Sequence, residues 1–310
     1  MRRRGAVCVA VAVVAIGCAG GDGGAGAGAG HAQTWADGTP VVWTDDEMPD
    51  LPLRKYEFDG GDHGEDAHRD MESAVGLLAQ RCMVRHGFAG FPRDPKPFTM
   101  AGTVTLTAVS VNTGPVGSYD PEQAGRWGYG WDPARASGPR RHAGRMMTRE
   151  ESEVYYGDRR AEYSGCSGEA YRRIQRGVRD VKRMWTYVTE REYTVRERAE
   201  REPRLRRAYR AWADCVVDKG FKRYTDPVAA SSDKAWRRGK DGNTKHTRRE
   251  TGTAVADVEC KRAHNTAGVW WAVTERLQRR ELVEHKAEFD SVRADRDRLL
   301  SNVREVMAAG

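Results

Sequence analysis

The string RCMVRHGFAGF at residues 81–91 returns in altered form as DCVVDKGFKRY at residues 214–224. Apolar residues precede the first copy at Val75 and Leu78 and continue through Cys82 and Met83, which is the spacing of one helix face. Leu205, Tyr209, Trp212, Cys215 and Val216 repeat that spacing before the second copy, and Pro203 suits a first helical turn. Both predicted helices then meet Gly-Phe. A glycine just past a helix end takes the left-handed conformation that stops the coil, and the next residue packs back over the last turn. That predicts contacts of Phe88 with Met83 and of Phe221 with Val216. An aromatic follows each stop, Phe91 or Tyr224, and an Asp-Pro pair then carries the chain away at 94–95 and 226–227.

The chain has six cysteines. Cys8 and Cys18 belong to an apolar N-terminal leader, which leaves Cys82, Cys166, Cys215 and Cys260. Four cysteines allow three pairings, and counting alone does not choose among them. The repeat favours one. T-x-x-E strings at 148–151 and 247–250 fit the capping box that opens a helix, and each precedes the second cysteine of its half. Two copies of one unit (helix, Gly-Phe stop, irregular insert, second helix) give Cys82–Cys166 and Cys215–Cys260; chance reuse of a helix-ending formula is the alternative. Each bridge closes a long loop and contributes about 3–4 kcal/mol by the chain-entropy relation. Apolar residues make up 39% of the chain and charged ones 31%, so the core is thin and covalent cross-links matter to it.

MRRRGAVCVAVAVVAIGC opens with a basic cluster and runs apolar from Ala6 to Ile16. The run is too short to span a bilayer, which takes about twenty apolar residues, and has the length of a signal-peptide core. Its end, AIGC, resembles the lipobox of bacterial lipoproteins, although Ala15 stands where Leu is usual and Ile16 where a small residue is. The resemblance implies cleavage after Gly17 and a diacylglyceryl group on Cys18, hence a membrane partner through a lipid anchor on the extracellular face. The alternative is an ordinary secretory signal cut within AGAGAGHAQ and a chain released outside. Either way the four later cysteines meet an oxidising compartment. Residues 18–34, nearly all Gly and Ala, read as a flexible tether, and 35–69 as an irregular segment.

The remaining organisation is a first helical unit over 70–200 with a Gly/Pro/aromatic-rich insert at 89–147, and a second over 203–310. GTVTLTAV at 102–109 is the one stretch that alternates like a strand. From Ala170 the spacing of Ile174, Val178, Val181, Trp185 and Val188 predicts one long helix to about residue 200. Residues 265–308 predict another, antiparallel to it, with a kink between 280 and 288. The polar, basic stretch 231–250 reads as a solvated loop. The expected fold is mainly α: long antiparallel amphipathic helices stapled by two disulfides. C-M-x-x-x-G-F at 82–88, with the later cysteines around a variable middle, resembles an actinobacterial family of secreted or lipidated proteins of uncharacterised function. The likeness covers roughly residues 70–275, its motifs are structural, and it transfers no catalytic residue.

Chemistry-bearing patterns are sparse. His63 and His68 flank Glu65 and Asp66, which reads as a solvated acidic loop and not a metal site. His86, one residue before its glycine stop, suits the helix dipole. GCSGEA around Cys166 looks like a reactive cysteine at a helix start but is better read as a disulfide partner, and Glu150 and Glu151 point apart on a helix. No nucleophile elbow, zinc-protease motif, phosphate loop or dinucleotide fingerprint occurs in the sequence, so no catalytic residue, metal or cofactor is assigned. The net charge of +7 includes Arg2, Arg3 and Arg4 of the leader, and the remaining excess is dispersed, which argues against a nucleic-acid partner. GRWGYGWDP at 125–133 sets Trp127, Tyr129 and Trp131 between glycines, giving aromatic faces suited to a sugar ring or flat ligand; a satellite core under those rings is the competing reading. The expected role is a non-catalytic binding or scaffolding module at the cell envelope, with a cell-wall polymer or envelope protein as partner. Alternatives are an envelope hydrolase or redox enzyme whose site assembles only in three dimensions, and a cell-wall or anionic-lipid binder using the arginines of 172–183.

Overall fold

Both Gly-Phe strings end helices in the way their residues require. In the computed structural model, which describes residues 39, 50–58, 66–95, 119–132, 144–158, 164–240 and 242–309, the first string closes α1 (Asp66–Arg85) and the second closes α6 (Pro203–Asp218). Gly87 and Gly220 take φ of 94° and 85°. The Phe88 N–H donates to the Met83 carbonyl at 3.1 Å and the Gly87 N–H to Val84 at 3.0 Å; Phe221 to Val216 and Gly220 to Val217 repeat this at 3.2 and 2.8 Å. This is the paired-bond helix stop that left-handed glycine permits. Phe88 packs in the cluster that holds Met83, and Phe221 in the one that holds Val216.

The other helices are α2 (Pro121–Trp127), α3 (Arg149–Tyr156), α4 (Gly165–Ile174), α5 (Val181–Arg201), α7 (Pro227–Ser231), α8 (Arg248–Ala263), α9 (Thr266–Glu284) and α10 (Lys286–Ala308). No strand occurs among the described residues, and no described helix is long and apolar enough to cross a membrane. Cys82 is bonded to Cys166 across α1 and α4, and Cys215 to Cys260 across α6 and α8. The two halves are alike in skeleton and different in detail. Thr247 opens the helix that carries Cys260, whereas Thr148 opens a short helix that ends at Gly157 (φ 60°) before Cys166 is reached on α4.

The helix expected to run unbroken from Ala170 is two. α4 stops at Ile174, Gly177 takes φ 78°, and the Asp180 carboxylate caps α5 by accepting from the Arg183 N–H at 2.9 Å. Across that break the stepping of apolar residues does not lie on one seam: Met184, not Trp185, joins Ile174 in the core with α1 and α10. Trp185 stays 37% exposed and leans on Phe58 at 4.6 Å. The break expected between 280 and 288 falls at His285, between α9 and α10. The lipidation site expected at Cys18, the strand expected at 102–109 and the acidic stretch around His63 lie outside the described residues; His68 sits on α1, 3.4 Å from Glu72.

Packing is divided among several cores. Met71, Ala74 and Leu77 of α1 meet Leu299, Leu300 and Val303 of α10. Val195 and Ala199 of α5 meet Leu205 of α6 and Val273 and Leu277 of α9. One buried acid of this scaffold is held by two arginines. Glu281, fully buried on α9, takes the guanidinium of Arg198 and lies 3.5 Å from that of Arg191. Such pairs are costly to break from one side.

Candidate functional site

Three aromatics on the insert were the ligand-contact candidates, and the structure gives them separate surroundings. α2 is capped by Asp120, which accepts from the Glu122 and Gln123 N–H groups at 2.8 and 3.2 Å. The backbone after α2 is then pinned residue by residue. His246 Nδ1–H donates to the Trp127 carbonyl at 2.8 Å, the Tyr129 N–H donates to Glu250 Oε1 at 3.0 Å, and Arg238 donates to the Tyr129 carbonyl at 3.0 Å. Asn243 closes a two-way clamp with the Trp131 main chain, accepting and donating at 3.0 Å. The interleaved glycines therefore serve close approach and not mobility. A Cβ on Gly128 or Gly130 would come closer than 3.0 Å to Glu250 or to Asn243.

Tyr129 turns inward. Its ring stacks on buried Trp236 at 5.5 Å. Its hydroxyl is buried, and burial followed by nearby Asp257 pushes the phenol far above its ordinary range. Asp257 is itself buried, which pushes its carboxyl up, and it is held by the Trp212 indole N–H at 3.0 Å and by Lys261 at 3.1 Å. The fully buried Lys261 ammonium also sits 5.0 Å over the Tyr119 ring. Trp127 and Trp131 remain half-buried, Trp127 meeting His246 edge-on at 5.4 Å. The stretch 231–250, expected to be solvated, supplies this support: Trp236, Asn243, Thr244 and Glu250 are buried. Glu250 does not complete the box with Thr247 as Glu151 does with Thr148, because its carboxylate turns away to the Tyr129 N–H and the Thr244 hydroxyl.

A second feature was not anticipated. α5, α6, the loop 223–226, α7 and Trp270 of α9 enclose a cleft of about 990 Å³. Its wall is apolar, with Ala199, Leu205 and Ala213 buried and Tyr209 and Trp270 alongside. Arg196, Arg206, Arg210 and Arg223 stand around it. Arg223 is paired with Asp214, and Arg196 lies 4.5 Å over the Tyr193 ring. Burial, with Asp226 and Glu200 behind it, pushes the Tyr209 phenol above its ordinary value, so that hydroxyl is a neutral donor. The sequence did hold a signal: Arg206 and Arg210 are like charges one helical turn apart, which costs a helix stability unless something compensates.

The arginines of 172–183 scatter. Arg179 is tied to Asp295 at 3.0 Å and Arg183 covers Tyr187 at 4.8 Å. Arg173 and Arg176 join Arg81 and Arg298 around a smaller groove of about 510 Å³. Two clusters of potential metal ligands occur among the described residues. One is Cys82, His86 and Cys166, whose sulfurs are in the disulfide; the other is Glu281, Glu284 and His285, whose acids already face Arg198 and Arg280. No protein-family model, curated protein or solved structure matches this chain.

Proposed function

We propose that the chain is a non-catalytic binding module of the cell envelope, held at the extracellular face of the membrane by a lipid on Cys18, with the cleft between α5, α6 and α7 as its working surface. The observation that carries this reading is the pairing of an apolar wall with a rim of arginines in one cavity of binding-site size. The leader and the Gly/Ala tether supply the address, and two disulfides fit a chain that folds in an oxidising compartment. In vivo, Cys18→Ser moves the protein from the membrane pellet to the medium. In vitro, the full-length Cys18→Ser chain binds isolated envelopes, and Arg206→Ala with Arg210→Ala weakens retention by about tenfold or more. A second reading has its own support: Trp127 and Trp131 stay half-exposed on a backbone fixed by His246 and Asn243, a rigid platform for a cell-wall polymer. If Trp127→Ala with Trp131→Ala abolishes retention and the arginine pair does not matter, the platform is the working surface and the cleft is not.

A further inference from the structure

The cleft has two chemically distinct parts. Its wall of Leu205, Ala199 and Ala213 is buried, with Tyr209 and Trp270 extending it. Its rim is cationic and under-compensated. The carboxylate one turn before Arg206 is Glu202, which Arg276 occupies at 3.0 Å. The one a turn after Arg210 is Asp214, which Arg223 occupies. Among the described residues neither Arg206 nor Arg210 forms an ion pair. Of the two acids lining the cleft, Asp226 is engaged in capping, accepting from the Ala229 N–H and the Thr225 hydroxyl at 2.8 Å each. Glu200 remains, sharing the lining with Arg196, Arg206 and Arg210.

On the reading that this cleft is the working surface, we infer that it holds a phosphate-headed acyl lipid, with the phosphate on Arg206 and Arg210 and the chain along Leu205, Tyr209 and Trp270. Guanidiniums come to the rim from both α5 and α6. A head with several acceptor oxygens serves more than one planar fork, whereas a lone carboxylate is filled by one. The wall is mostly carbon, its polar groups being the Tyr209 hydroxyl and the Trp270 indole N–H, and each methylene moved out of water there gains about 0.8 kcal/mol. A sugar polymer laid along the wall would set hydroxyls against Ala199, Leu205 and Ala213, which offer them no partner.

The test is calorimetric titration of the full-length, disulfide-bonded Cys18→Ser chain with 1-palmitoyl lysophosphatidate below its micelle concentration. Saturable binding is expected, weakened about tenfold or more by Arg206→Ala with Arg210→Ala. Val228→Glu, at a 47% exposed position lining the cleft, should weaken it comparably without touching the core. Arg207→Ala removes an exposed α6 charge that does not line the cleft and should change nothing. Melting curves matching the parent's certify that each variant is folded. Palmitate binding as tightly as lysophosphatidate would overturn the phosphate assignment, and full displacement by inorganic phosphate would overturn the acyl one. Absence of saturable binding overturns the lipid proposal; the working-surface reading then fails too only if envelope retention is indifferent to Arg206 and Arg210.

Discussion

Glu151 and Asp257 are both buried carboxylates, and their surroundings push them in opposite directions. Arg145 donates two hydrogen bonds to Glu151, at 2.7 and 2.5 Å, and the Thr148 N–H donates a third at 2.8 Å. The Arg145 bond, ahead of the others, holds this carboxyl at about 2 against an ordinary 4.5. A depressed folded value stabilises above the unfolded one, so this contribution is complete above pH 4.5 and is lost as pH falls toward 2. Glu151→Gln should flatten that part of the acid-unfolding curve, and Thr148→Ala should cost about 1 kcal/mol in denaturant titration. Asp257 is the opposite case, buried beside a buried ammonium. Asp257→Ala strands Lys261 without its carboxylate and should cost about 3–5 kcal/mol, while Asp257→Leu with Lys261→Met should recover much of that loss. A denaturation series in which the double variant is no better than the single one would place the stabilisation elsewhere. Both have a partner within one helical turn, Thr148 three residues before Glu151 and Lys261 four after Asp257, but only the T-x-x-E string was legible, because nothing local marks the second pair as buried. Glu250 occupies the same position in its own T-x-x-E string, yet it serves a main-chain donor 121 residues distant. No local pattern carries that information.

At the scale of elements, the short strap 50–58 is seated through a contact between two carboxyls. Leu53 is fully buried and its N–H donates to Gln278 at 2.9 Å, while Arg296 donates to the Lys55 and Glu57 carbonyls at 3.0 and 2.9 Å. Glu57 also brings its carboxyl toward Glu192 of α5. Burial, and then this neighbour, push Glu192 up to about 8, against relief from Arg54 and Arg196. The folded chain thus holds a proton that the unfolded chain releases near 4.5, and stability declines as pH rises from 4.5 to 8. Melting temperatures should fall across that interval, and Glu192→Gln should remove the slope and raise the value at the alkaline end. The helices themselves were legible where one apolar face persisted, as in α1 and α6. They were misread where the spacing ran on through a break, because Gly177 and Asp180 end and restart the coil without disturbing the count of apolar residues. Trp236, in a stretch as charged as any, was hidden for another reason: it is buried in a cluster with Trp212, Val216 and Cys260, with Tyr129 brought in from a distant insert.

For the molecule as a whole, the sulfur bridges span 84 and 45 residues, and the loop-entropy relation assigns each about 4 kcal/mol. Reduction of both, or Cys82→Ser with Cys215→Ser, should lower the denaturant midpoint by an amount comparable to much of the stability of an ordinary domain. An unmoved midpoint would show that the divided cores suffice alone. The pairing itself was legible because the repeated stop placed one cysteine of each pair at the same point of its helix. The cleft was not, since its lining comes from four helices and a loop that only packing brings together.

The join between the first and last helices also sets the order of assembly. Arg81 donates to the Ala309 carbonyl across a separation of 228 residues, and the apolar side of α1 is shared between α4 and α10. A chain that emerges N-terminus first can cover part of that side once α4 follows, and leaves the α10-facing part open until nearly everything behind it has emerged. Met71, Ala74 and Leu77 therefore gain their partners in two stages, and the second, against Leu299, Leu300 and Val303, is a late event.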